Sequence, residues 1–129
     1  MSKIIIVDDE PQVVSYDHSL FNELKDIHEI KVFKSLPKDS REIITRLENA
    51  HTAVITKATT RINNNIIENL PDLKHIAVFG IALDHIDTDS ALRNNINIST
   101  IPNILTNSVA EHSISLMISL LKKIPELDR

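Results

Sequence analysis

The sequence predicts a doubly wound α/β domain on three observations. Short β-branched runs recur along the chain, among them KIIIV at 3–7, TAVIT at 52–56 and LKHIAVF at 73–79. Segments with apolar residues at helical spacing separate these runs. Proline, aspartate and asparagine fall at the joins, where they stop one element or cap the next. Strands that alternate with helices form a parallel sheet through right-handed crossovers.

The first run, 3–7, is apolar after its lysine and reads as a strand buried on both faces. Residues 13–26 then set Val13, Tyr16, Leu20, Phe21 and Leu24 on one side of a helix. HEIKVF at 28–33 alternates apolar and polar, as a strand near a sheet edge does. Beyond Pro37, Asp39 or Ser40 caps a helix to about Asn49 that turns Ile43, Ile44 and Leu47 inward. TAVIT is the third strand, and NNNIIENL at 63–70 is a short helix stopped by Pro71. LKHIAVF is the fourth strand and ends at Gly80. TDSALRNN at 88–95 is a capped helix, and INIST at 96–100 is the fifth strand. Past the Pro102 loop, residues 107–123 form a long apolar helix. The sum is a flavodoxin-like five-stranded parallel sheet with a C-terminal apolar helix. Its ligands belong at the carboxyl ends of the strands.

Composition narrows the function classes. A chain of 129 residues holds one domain with one core. No apolar run approaches the ~20 residues of a membrane span, and the N-terminus lacks a signal-peptide pattern. The net charge of −4, with no basic patch, argues against nucleic acid. The absence of cysteine removes disulfides and thiolate metal sites, and fits a cytoplasmic protein. The single glycine, Gly80, decides most. A dinucleotide fingerprint needs three close glycines and a phosphate loop needs two, because their backbones must approach phosphate oxygens.

The opening KIIIVDDEP resembles the start of response-regulator receiver domains, where the acidic pair holds magnesium. The other strand ends do not follow. The third strand runs into Lys57 where a phosphoacceptor aspartate belongs, the fourth ends in Gly80 rather than a hydroxyl residue, and Thr100–Asn103 supplies no lysine. Without the nucleophile there is no aspartyl phosphate. Asp8, Asp9 and Glu10 are therefore expected in a solvated loop that helps to cap the next helix.

From Asn69 onward the sequence becomes specific. NLPDLKHIAVFGIALDHID at 69–87 is followed by a short strand, a proline loop and SVAEH at 108–112, which opens the long helix. In this order and spacing the motifs resemble the N-terminal part of the D-isomer-specific 2-hydroxyacid dehydrogenases, the glycerate and hydroxypyruvate reductase group. The resemblance covers nearly the whole chain and is strongest from Leu70 to Leu121. It implies a substrate-binding domain at 1–105 and the start of an interdomain and dimerisation helix at 106–129. It also implies an NAD or NADP cofactor for a full-length relative. The glycine-rich cofactor loop and the acid–base residues of the family would lie past Arg129, so the chain is expected to be inactive alone.

The resemblance places the carboxylate of a 2-keto or 2-hydroxy acid on the backbone N–H groups of Gly80, Ile81 and Ala82. N–H groups at a strand end suit an anion; equally, Gly80 serves a tight turn. Lys57, at the neighbouring strand end, is the second substrate-binding candidate, although a solvated lysine is the commoner fate there. His85 and His112 lack an orienting carboxylate and receive no catalytic role. Asp84 and Asp87 are expected to bond loop and helix-start N–H groups. No cofactor-binding or metal-binding residue is assigned. Two departures from the family pattern stand out: Ala82 replaces a glycine in the loop, and Thr100 and Asn103 replace an asparagine and a glycine around Pro102. The alternative to a dehydrogenase domain is a stand-alone, non-enzymatic binding or assembly protein. In either case a homo-oligomer through 107–123 is expected.

Overall fold

The computed structural model of the chain describes residues 1–103 and 105–127. Five strands form the sheet: β1 (Lys3–Ile6), β2 (Glu29–Val32), β3 (Thr52–Ile55), β4 (His75–Val78) and β5 (Asn97–Ser99). Their order is β2-β1-β3-β4-β5, and every pairing is parallel. This is the flavodoxin-like order, with its switch point between β1 and β3. The helices are α1 (Ser19–Ile27), α2 (Ser40–Arg46), α3 (Asn64–Glu68), α4 (Thr88–Arg93), α5 (Thr106–Leu121) and α6 (Ile124–Leu127).

The central strands are buried because their continuous β-branched runs have no polar face to offer water. Ile5, Ile55 and Ile76 are fully buried and meet Leu47, Ile66 and Ile67 from the helices. β2 is an edge strand, and its residues alternate between exposed and half-buried as the pattern at 28–33 predicts. The capping reading holds at atomic level. Asp39 Oδ1 accepts from Glu42 N at 2.8 Å, Asn63 Oδ1 from Ile66 N at 3.0 Å, and Asp87 Oδ1 from Ser90 N at 2.9 Å. Each side chain satisfies a donor that the first helical turn leaves free.

Three expectations are corrected. The helix expected over 13–26 begins only at Ser19 and buries Phe21 alone. Val13, Leu20 and Leu24 are exposed. The cause lies upstream, because Asp9 Oδ1 accepts from Val13 N at 2.7 Å and from Val14 N at 3.4 Å, while Tyr16 Oη donates to Asp9 Oδ2. That carboxylate holds the segment as a loop in place of a first helical turn. Burial, and then the bond to Asp9, push the Tyr16 phenol above its ordinary range.

The second correction follows from the same residues. Asp8 and Asp9 are 0% and 1% exposed, so they are not in a solvated loop. The third concerns the long apolar helix expected at 107–123, which is α5 and ends at Leu121. No residue of α5 is buried, and its main packing partner among the described elements is α6. Residues 128 and 129 of the expected 106–129 segment lie outside the described residues.

Arg46 is a structural lock that the pattern of α2 hides. Its guanidinium is buried and donates to the carbonyls of Val7 and Ser35, each at 2.6 Å. It also pairs with Glu42 and lies 4.7 Å from the Phe33 ring centre. The backbone N–H of Lys38, and then Arg46, hold the Glu42 carboxyl below the usual carboxylate range. Arg46→Leu keeps the apolar bulk but leaves the Val7 carbonyl without that donor. The expected loss is about 1–3 kcal/mol, read from denaturant midpoints; an unchanged midpoint would contradict the lock.

Candidate functional site

The carboxyl ends of β3 and β4 bound an open cleft of about 230 Å³. Lys57, Gly80, Ile81 and Ala82, the four residues singled out by sequence, all line it, together with His85 and Leu105. The topology explains the meeting: β3 and β4 are sheet neighbours, with Ile55 opposite Val78, so both connections leave the same edge.

Gly80 sits at φ +152°, in a region that L side chains avoid. A Cβ there would meet nothing within 4 Å, so the backbone angle alone calls for glycine. Its N–H donates to Val78 O at 2.9 Å, and its carbonyl accepts from Ile101 N at 2.8 Å. The loop is thereby tied to the Pro102 segment. No acceptor for the N–H groups of Ile81 and Ala82 is found among the described residues. Ile81 is 67% exposed, so these two donors stand at the surface of the cleft. Of the three predicted donors, Gly80 serves the turn, and the following two face no internal partner.

At Ala82, where the resemblance calls for glycine, φ is not positive, so alanine fits without strain. Asn103 takes the other substitution differently. Its φ is 62°, the left-handed conformation that asparagine tolerates better than other side chains.

Lys57 is held at both ends. Its backbone N–H donates to Asp8 Oδ2 at 3.1 Å, and its Nζ donates to Pro11 O at 2.9 Å. The ammonium therefore lies toward the β1 side of the cleft. Asp8 completes this corner, with Oδ1 accepting from Thr56 N at 2.8 Å and its own carbonyl from Thr56 Oγ1 at 3.0 Å. The two strand ends are stitched together beyond their last ladder pair, Ile6 and Val54. Sequence reasoning missed Asp8 in this role; the only local signal was an acid directly after a fully apolar strand.

His85 is buried, and its Nε2 meets no partner among the described residues. Burial lowers its pKa; the charges of Asp8 and Asp84 act the other way, and Arg61 adds to the lowering. A base depressed in the folded state binds fewer protons there than when unfolded. Stability is thus fully present above the ordinary value of 6.5 and is lost as pH falls through it toward the lower folded value. His85→Gln is expected to flatten this part of the profile. Urea midpoints taken from about pH 5 to pH 8 check it, and an unaltered slope would rule it out.

The family model for the catalytic domain of D-isomer specific 2-hydroxyacid dehydrogenases matches residues 4–115. The chain belongs to this family. Among curated dehydrogenase relatives, it is 27% identical over 108 residues to a glyoxylate reductase of Pyrococcus furiosus, covering 84% of this chain and 32% of that one. It is 33% identical over 90 residues to a D-3-phosphoglycerate dehydrogenase of Archaeoglobus fulgidus, covering 70% and 17%. Among solved structures, an acyclic imino acid reductase in complex with NADPH and D-Arg superposes with a TM-score of 0.83 at 28% identity, covering 98% of this chain and 39% of that one. The chain thus spans about a third of the glyoxylate reductase it matches.

These dehydrogenase relatives raise the question of a nicotinamide cofactor. The residues present do not fit one. The single glycine follows β4, and no glycine lies between β1 and α1, where a dinucleotide turn would need several. No helix among the described residues is long and apolar enough to cross a membrane.

Proposed function

We propose that this chain supplies the substrate-binding part of an NAD- or NADP-dependent D-2-hydroxyacid dehydrogenase. Its loop Gly80–Ala82 receives the carboxylate of a 2-keto or 2-hydroxy acid. The observation that carries the reading is the convergence of Lys57, Gly80, Ile81 and Ala82 on one cleft, where the N–H groups of Ile81 and Ala82 have no acceptor among the described residues. A carboxylate accepts such donors as charge-assisted bonds, and each contributes about 1.5–3 kcal/mol. The Lys57 ammonium adds a screened attraction from the rim. The apolar residues of α5 form the surface through which the chain associates with another copy.

Association entropy consumes much of what a few N–H groups supply, so affinity is expected in the millimolar range. Titrating the labelled chain with glyoxylate should shift the amides of Gly80–Ala82 and leave 8–10 and the helices unmoved. With NADH added, cofactor absorbance should stay at the blank, because nothing here holds a nicotinamide against a keto carbon. Shifts centred elsewhere would displace the site. Turnover would overturn the expectation of inactivity.

A further inference from the structure

The carboxylate cleft does not end at the loop. A second cleft of about 470 Å³ opens beside it, and the two share Gly80, Ile81 and Leu105. Beyond the shared residues, the second cleft is bounded by Ile101, Asn103, Thr106, Val109 and Ala110. No charged side chain lines it among the described residues, and its volume lies within the ~300–1,000 Å³ of small-molecule pockets. Ile81, Leu105 and Val109 are 67%, 62% and 60% exposed, so apolar surface is presented to whatever enters.

Resting on the function proposed above, we infer that the acid accepted here carries an apolar side chain, branched or aromatic. Its carboxylate meets the Ile81 and Ala82 N–H groups, and its side chain lies in the cleft toward Val109. The lining separates this class from its competitors. A phosphorylated tail would need several cations; among the described residues Lys57 alone supplies one to the two clefts, and it lines the carboxylate cleft, not the second one. Aliphatic walls also strip water from a dianion and return no hydrogen bond. Glyoxylate has no side chain and leaves the second cleft to water. An apolar side chain instead removes two apolar surfaces from water at once.

The experiment is an amide-shift titration of the full chain with phenylpyruvate, glyoxylate and 3-phosphoglycerate, using the wild type and Val109→Asp. Phenylpyruvate should bind at least ten-fold more tightly than either competitor, about 1.4 kcal/mol. Its shifts should extend from Ile81 and Ala82 to Leu105, Val109 and Ala110. Val109→Asp changes an exposed position; its charge repels either acid, but it should cost phenylpyruvate about ten-fold more affinity than glyoxylate and so abolish the advantage. Equal affinities, or tightest binding of 3-phosphoglycerate, with Ile81 and Ala82 still shifting, would overturn this inference and leave the proposed function standing. If no acid moves Ile81 or Ala82, the proposed function fails and the inference fails with it.

Discussion

Replacing Asp8 with alanine is expected to destabilise the domain by about 3–6 kcal/mol, a large fraction of the stability of a small domain. The carboxylate is fully buried and receives two backbone donors, Thr56 N at 2.8 Å and Lys57 N at 3.1 Å. Placing a charge there is itself costly. That cost is already offset in the folded protein by the two charge-assisted bonds. Truncation removes the bonds and leaves two N–H groups facing an apolar methyl. Each such bond is worth about 1.5–3 kcal/mol, which sets the range. Asp8→Asn retains one acceptor oxygen and should lose about half as much. Equilibrium denaturation of the three proteins measures this directly. A loss under about 1 kcal/mol for the alanine variant would mean that water reaches the pair and replaces the carboxylate. Because Lys57 follows Thr56 along the same stitched backbone, the variant should also bind glyoxylate more weakly under conditions where it remains folded.

Features set by local chemistry were legible in the sequence. Continuous β-branched runs mark the central strands, alternation marks the edge strand β2, and Asp39 and Asp87 mark helix starts. The only glycine marks the loop, and its φ of +152° supplies the reason. Features set by distant partners were not legible. Asp8 looks like a solvated acid until β3 brings the Thr56 and Lys57 N–H groups to it, 48 and 49 residues away. Arg46 looks like the outer member of a surface pair with Glu42, four residues earlier. Its burial depends on Val7, 39 residues away at the end of β1. Residues 13–18 have a helical pattern, but a single buried carboxylate, Asp9, holds their N-terminal part out of the helix. At Asp8 and Arg46 the deciding bonds span 39 to 49 residues; at Asp9 they are local, but they compete with the first helical turn.

The chain is expected to self-associate through α5 at micromolar concentration. Ile114, Met117, Ile118 and Leu121 recur at the i, i+3, i+4, i+7 spacing of a single helical stripe. Their exposures are 53%, 58%, 51% and 82%. A further apolar run adds to this surface, since Leu116 and Leu120 are 51% and 74% exposed. Contiguous apolar surface of this kind is rare on a soluble monomer and marks an interaction site. Fully burying one large apolar side chain contributes about 1.5–3 kcal/mol. Covering even three of them therefore amounts to several kcal/mol. The simplest arrangement sets the stripe against its own copy across a two-fold axis, so that each stripe residue is buried twice in the pair. Met117→Lys and Leu121→Lys place a cation in that seam without touching the sheet, because neither side chain is buried in the single chain. Sedimentation equilibrium should give a dimer or larger assembly for the wild type and a monomer for either variant, with the far-ultraviolet spectrum of the sheet domain retained. A wild-type chain that stays monomeric and soluble at tens of micromolar would exclude self-association as the means of covering this helix; Kd values in the micromolar range correspond to about 8 kcal/mol, within reach of the burial just described.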